Sequence, residues 1–169
     1  MYNIRTATPA DAEALLEIYA PYITQTVVTY EYDIPDVEEF RNRIIHTLQR
    51  FPYLVAETDG KIIGYAYAGV LNSRAASFCS VETSIYISMD HRGKGAGRIL
   101  YEALEAELRS RNITNMYACI AYNEVEDEYL THASVHFHER MGFKLCGTLH
   151  RCAIKFNRSY GLVWMEKFI

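Results

Sequence analysis

The 169-residue sequence predicts one domain of mixed α/β class. Three observations carry this expectation. Half of the residues are hydrophobic, over a length that buries one substantial core. Helix-period and strand-period segments alternate with turn residues between them. The last two apolar runs both read as strands, so strands pair with strands at the C-terminal end. No repeat, low-complexity stretch or linker interrupts the chain, so residues 1–169 are expected to form a single domain.

The elements follow in order. "YNIRTA" reads as a short strand. "TPADAEALLEIYAPYI" reads as a helix with Thr8 at its N-cap, Pro9 in the first helical position and acidic residues in the first turn. "VTYEYDIP" is a loop, and "DVEEFRNRIIHTLQRF" returns to helical spacing through Val37, Phe40, Ile44, Ile45 and Leu48 until Pro52 ends it. Asp59-Gly60 supplies the turn of a hairpin in "YLVAETDGKIIGYAYAGVL". "SVETSIYISM" is a further strand. Next comes the amphipathic helix "RILYEALEAELRSR", with Ile99, Leu100, Ala103, Leu104 and Leu108 expected on one face. "NMYACIAY" is a strand, "ASVHFHERM" a short helix stopped by Gly142, and "FKLCGTLH" and "GLVWMEKFI" are the closing strands.

Composition narrows the function. A formal charge of −4 leaves no broad cationic surface for nucleic acid, so cations act locally on small anionic ligands. The N-terminus lacks a basic region followed by an apolar segment, and no run reaches membrane-spanning length, so the expectation is a cytoplasmic protein without membrane contact. Cys79, Cys119, Cys146 and Cys152 lack CxxC spacing and clustered histidines; buried free thiols are expected rather than disulfides or a metal site.

"HRGKGAGRIL" lies between a strand and a helix. Gly93, Gly95 and Gly97 remove side chains where a ligand must approach the backbone. Amides there, joined by the first-turn N–H groups of the helix and by Arg92, Lys94 and Arg98, would hold a phosphate or pyrophosphate. It is no Walker A loop, because Lys94 is followed by Gly95 where Ser or Thr is needed for Mg²⁺. Nor is it a dinucleotide fingerprint, because Arg98 stands at the third glycine position. The strand "VETSIYISM" alternates, with Val81, Thr83, Ile85, Ile87 and Met89 on one face and Glu82, Ser84, Tyr86 and Ser88 on the other. By residue type alone Glu82 is a surface carboxylate, half of an internal ion pair, or a general base.

Arg92-Gly93-Lys94-Gly95-Ala96-Gly97 resembles the pyrophosphate loop of the GCN5-related N-acetyltransferases (GNAT), and the order of elements is similar to theirs along nearly the whole chain. Within that family the chain most resembles the phosphinothricin acetyltransferases, through "YAG" at Tyr67-Ala68-Gly69, Arg74, and "VE-x-S/T-x-Y" from Val81-Glu82 to Tyr86. The resemblance implies a central, mostly antiparallel twisted sheet with a splayed parallel strand pair and flanking helices. It implies acetyl-CoA as co-substrate, no metal, and a homodimer through the C-terminal strands. Ile85, Tyr86 and Ile87 would hold the pantetheine arm through their backbone, and Arg92, Gly93, Lys94, Gly95, Ala96, Gly97 and Arg98 the pyrophosphate. Glu82 takes the position of the base. Counting four residues from Ser134 gives His138 as an acid or relay, or else a packed polar residue. The family's Asn for the cofactor is replaced by Thr131, with Asn123 as a substitute. Tyr30, with Tyr32, would wall the acceptor, and Arg74 would pair with its anionic group. The implied reaction is acetylation of a small amino-acid-like amine such as phosphinothricin, methionine sulfoximine or its sulfone. A protein N-terminus or another amine as acceptor, and a non-catalytic acetyl-CoA-binding module, are the alternatives. Cys119 has no His or acid partner placed by sequence for a covalent route.

Overall fold

The computed structural model describes residues 2–169. Strands β1 (Asn3–Thr6), β2 (Tyr53–Thr58), β3 (Lys61–Val70), β4 (Ser80–Ile87), β5 (Asn115–Tyr122), β6 (Lys144–Lys155) and β7 (Arg158–Phe168) form one sheet in the order β1-β2-β3-β4-β5-β7-β6. All neighbours are antiparallel except β4 and β5, which run parallel. The helices are α1 (Ala12–Gln25), α2 (Val37–Leu48), α3 (Ala96–Ser110) and α4 (Ala133–Arg140).

The local signals act as expected. Thr8 opens a 3-10 turn with Pro9 at its start, and its N–H donates to the Asp11 carboxylate at 2.7 Å before α1 begins at Ala12. Asp36 caps α2 by accepting from the Glu39 N–H at 2.7 Å. Asp59 and Gly60 both have positive φ, as a two-residue hairpin turn requires. β6 and β7 extend beyond the expected closing strands because Phe156 and Asn157, both at positive φ, turn the chain there with no glycine to mark it.

Both faces of the sheet are covered. α3 lays Leu100, Tyr101, Leu104 and Leu108 against Val81, Met116 and Met165. α1 and α2 lay Leu15, Ile23 and Ile44 against Val55 and Tyr65. Two expectations are corrected. Ile99 is exposed, because a helix starting at Ala96 turns positions 100, 101, 104 and 108 inward and Tyr101 takes the buried place. The cysteines are free but not buried: Cys146 and Cys152 lie on the outermost strand, Cys119 opens into a cleft, and Cys79 is partly covered.

Candidate active site at the fork of β4 and β5

The parallel pair is short. Ser80, Val81 and Glu82 are in register with Asn115, Met116 and Tyr117, and beyond that point the strands part. A cleft of about 520 Å³ opens between Thr83–Ile87 on β4 and Ala118–Ala121 on β5, reaching the glycine loop and α4. Past Glu82 the β5-facing edge of β4 carries N–H and C=O groups with no strand opposite them among the described residues, although the Ile87 carbonyl accepts from the Tyr22 hydroxyl at 2.5 Å. Such an edge can pair with an amide-bearing arm as it would with a strand.

Thr83 pins the fork. Its hydroxyl is 3.1 Å from the Tyr117 carbonyl oxygen across the gap and 2.6 Å from the Tyr101 hydroxyl on α3. Tyr101 in turn lies 3.2 Å from Nε2 of His138 on α4. His138 Nδ1 lies 2.8 Å from the Ser134 carbonyl oxygen, which can only accept, so Nδ1 carries the proton and Nε2 presents a lone pair to Tyr101. Burial lowers the His138 pKa from 6.5 to about 4, with the Ser134 bond opposing that shift, so the ring is neutral at neutral pH. Thr83 and Tyr101 were missed by sequence reasoning. A hydroxyl on the otherwise apolar face of β4 was the available signal.

At the outer end of the cleft the loop takes the expected form. Gly93 and Gly95 have φ of +73° and +87°, conformations that strain an L-residue, and Gly95 precedes α3 directly. The first helical N–H to reach a chain carbonyl is that of Ile99, on Gly95 at 3.3 Å, which leaves the N–H groups of Ala96, Gly97 and Arg98 for an external anion. Gly97 is not at positive φ, and a Cβ there would make ordinary van der Waals contact with the Phe137 ring at 3.4 Å, so the fold itself does not exclude a side chain at this position. Arg92 and Arg98 line the cleft, with Arg98 also paired to Glu102 at 2.8 Å. Lys94 does not line it, and its carbonyl accepts from the Tyr2 hydroxyl at 3.0 Å. Ala96 is buried beneath the loop. Arg140 and His91 line the cleft without having been expected there; His91 Nδ1 is buried and has no hydrogen-bond partner among the described residues.

Glu82 sits at the closed end, one residue before the lining begins. It is half-buried, and among the described residues its carboxylate has no hydrogen-bonding or ion-pair partner. Burial raises its pKa above the ordinary glutamate value of 4.5. Cys119, across the fork, is open to the cleft, but the protein around its sulfur partly desolvates it; this, and then the charge of Glu82, pushes the thiol up to about 12, so it stays protonated and is a poor nucleophile. Among the described residues no group of three His, Cys, Asp or Glu side chains could hold a metal ion.

The remaining expected residues lie elsewhere. Ser134 lines the cleft, as does Thr131. Asn123 does not: its Nδ2 donates to the Ser159 carbonyl and its Oδ1 accepts from the Gly161 N–H, both at 3.1 Å, so both ends of the amide are occupied by β7. The expected substitution of Asn123 for the family's asparagine is therefore not the arrangement found. Tyr30 donates to the Gly161 carbonyl at 2.5 Å and packs beside Val27, Ala121, Leu130 and Tyr160, outside the cleft lining. Tyr32 is exposed and donates to the Ile154 carbonyl at 2.5 Å. Arg74 is exposed in the β3–β4 connection, its N–H donating to Asn72 Oδ1 at 3.0 Å; among the described residues its guanidinium has no ion-pair partner.

Residues 4–164 match the acetyltransferase (GNAT) domain family. The chain belongs to the GNAT acetyltransferases. It is 34% identical over 166 residues to a phosphinothricin N-acetyltransferase of Alcaligenes faecalis, covering 98% of this chain and 81% of that protein. A phosphinothricin acetyltransferase of Sinorhizobium meliloti, solved in complex with acetyl-CoA, superposes with a TM-score of 0.90 at 30% identity, over 99% of this chain and 88% of that one. A ribosomal-protein-alanine N-acetyltransferase of Brucella melitensis superposes equally well, with a TM-score of 0.90 at 33% identity and 99% coverage of both chains. As a GNAT enzyme the chain is an acetyl-CoA-dependent acyltransferase. The unpaired β4 edge and the open amides before α3 fit an amide-bearing arm that ends in a pyrophosphate.

Proposed function

We propose that the chain transfers the acetyl group of acetyl-CoA to the primary amine of a small amino-acid-like acceptor, of the phosphinothricin or methionine sulfoximine and sulfone type, by direct attack. The observation that carries this reading is the half-buried, partnerless Glu82 at the point where β4 and β5 separate.

The edge of β4 at Ile85–Ile87 aligns the donor arm, and the amides of the Gly93–Gly97 loop take its pyrophosphate. This brings the thioester toward the fork. Glu82 accepts the proton that the acceptor's ammonium must lose, directly or through one water, and its raised pKa matches that task better than an ordinary carboxylate would. The amine lone pair forms the new C–N bond, the C–S bond breaks, and the second proton that the nitrogen sheds passes to solvent, from which the leaving thiolate takes one. His138 does not present an N–H to the cleft from Nε2; it accepts the Tyr101 hydroxyl proton and so positions Tyr101, whose oxygen shares the one Thr83 hydroxyl proton with the Tyr117 carbonyl at the fork. Arg74, on the connection that closes this end of the β3–β4 hairpin, supplies a planar donor fork for the acceptor's anionic group.

A protein N-terminus is the second reading, favoured by the likeness to the ribosomal-protein-alanine enzyme. Arg74, on the connection next to Glu82 in the β3–β4 hairpin, weighs toward an acceptor that carries an anionic group. We place the protein in the cytoplasm as a homodimer. β6 is the outer strand of the sheet and leaves Leu145, Leu149 and Ile154 exposed along it, which suits pairing through the C-terminal strands. The deciding experiment is acetyl-CoA-dependent thiol release across amino acids, phosphinothricin, methionine sulfone, polyamines, aminoglycosides and N-terminal peptides. Amino-acid-like acceptors are expected to be preferred, and turnover confined to peptides or polyamines contradicts the acceptor assignment.

A further inference from the structure

Gly69 is a glycine that the fold does not require. It lies in the β3–β4 ladder directly opposite Glu82. Its φ lies outside the left-handed region, and a Cβ built on it meets no atom within 4 Å. Other strand glycines contrast with it. At Gly64 a Cβ would collide with the Ile87 side chain, and at Gly161 with the Leu149 carbonyl. Gly147, which is also open, lies at a bulge on the outermost strand. A glycine in a strand costs backbone entropy and gives up a packed side chain, so the position invites a β-branched residue on stability grounds alone.

The surroundings of the bare position bear on catalysis. Residues directly opposite one another on an antiparallel pair share a face of the sheet with Cβ atoms about 5 Å apart, so the space over Gly69 adjoins the Glu82 side chain. Tyr67, two residues earlier on that face, lies opposite Ser84. The 71–79 connection that closes this end of the hairpin carries Arg74 and the exposed ring of Phe78.

Building on the acceptor site proposed above, we propose that Gly69 is its specificity-determining residue. The carbon bearing the reactive amine, with its substituent, lies flat on the bare backbone at Gly69, and this brings the amine to Glu82. Any side chain there occupies the acceptor's place, and acceptors branched next to the amine suffer first.

The test uses the full chain and whichever primary amine the wild type acetylates fastest, with Gly69→Ala and Gly69→Val. The melting temperature should hold or rise in both variants, and acetyl-CoA affinity should stay within twofold of wild type. The acceptor KM should rise at least tenfold in Gly69→Ala, with kcat for a small unbranched amine less affected, and Gly69→Val should lose acceptor-dependent turnover. Unchanged acceptor kinetics in Gly69→Ala, or a melting temperature several degrees lower in both variants, overturns the assignment while the transfer reaction stands. A wild-type chain whose acetyl-CoA cleavage no primary amine accelerates overturns the transfer reading and this assignment together.

Discussion

The two ends of the β4–β5 fork are built from different materials. The donor end is mostly main chain: an unpaired strand edge, two glycines at positive φ, and the N–H groups that open α3. The end proposed for the acceptor is mostly side chain: Glu82, without a partner among the described residues, Arg74 on an exposed connection, and the bare position at Gly69. Main-chain recognition demands particular backbone conformations, and those demand glycines at set spacing, so it is written as a motif. Side-chain recognition depends on which residues stand opposite one another, and register does not show in a linear sequence.

The largest effect expected from breaking this division comes from Glu82→Gln. It keeps the shape but removes the base, and should lower kcat/KM by roughly 10²–10⁴ with acetyl-CoA affinity unchanged. The same variant sharpens the electrostatic argument. A carboxyl whose pKa is raised by folding binds its proton more tightly in the native state, so native stability falls as pH rises through 4.5 to the raised value and remains lower above it. Glu82→Gln should therefore melt at a higher temperature than wild type at neutral pH, with the difference closing below about pH 4. Equal melting curves at pH 7 would contradict the buried, partnerless description.

Gly95→Val attacks the other end. A Cβ at φ +87° strains the turn by about 1–2 kcal/mol and redirects the amides, so calorimetry should find acetyl-CoA affinity reduced about 100-fold or more in a chain that still folds. Arg74→Ala should raise the acceptor KM by about 10- to 150-fold, the equivalent of 1.5–3 kcal/mol for a charge-assisted contact, and leave the KM for acetyl-CoA unchanged. An equal rise in both constants would show that the two ends are not separable.

His138→Phe should have the smallest kinetic effect, roughly tenfold or less on kcat, because the ring acts through Tyr101. Its signature is in stability. A histidine held neutral with a pKa of about 4 confers stability that is complete above 6.5 and is lost as pH falls from 6.5 toward 4. Thermal melts from pH 7 to pH 4 should show this acid-side loss weakened in the variant.

Much of the fold was legible because its punctuation is local. Pro9, Asp59-Gly60 and Gly142 each act within a few residues, and the structure uses all of them as turn or helix boundaries. The β6–β7 turn was not legible, because Phe156 and Asn157 adopt positive φ without a glycine. Around the cleft, the turn conformation at Gly93 and Gly95 could be read, as it is defined by near neighbours in sequence. The Thr83–Tyr101–His138 chain joins three elements separated by 18 and 37 residues, and only packing brings it together. Asn123 misled for the same reason, since its partners Ser159 and Gly161 lie on a strand nearly 40 residues away.

The account rests on one carboxylate acting as a base. Its most direct measurement is the pH dependence of kcat/KM for the preferred amine, in wild type and in Glu82→Gln. The wild type should show an acid limb whose midpoint lies above 4.5, the ordinary glutamate value, and the variant should be slow with that limb absent. A variant that keeps both the limb and the wild-type rate would contradict the assignment of Glu82.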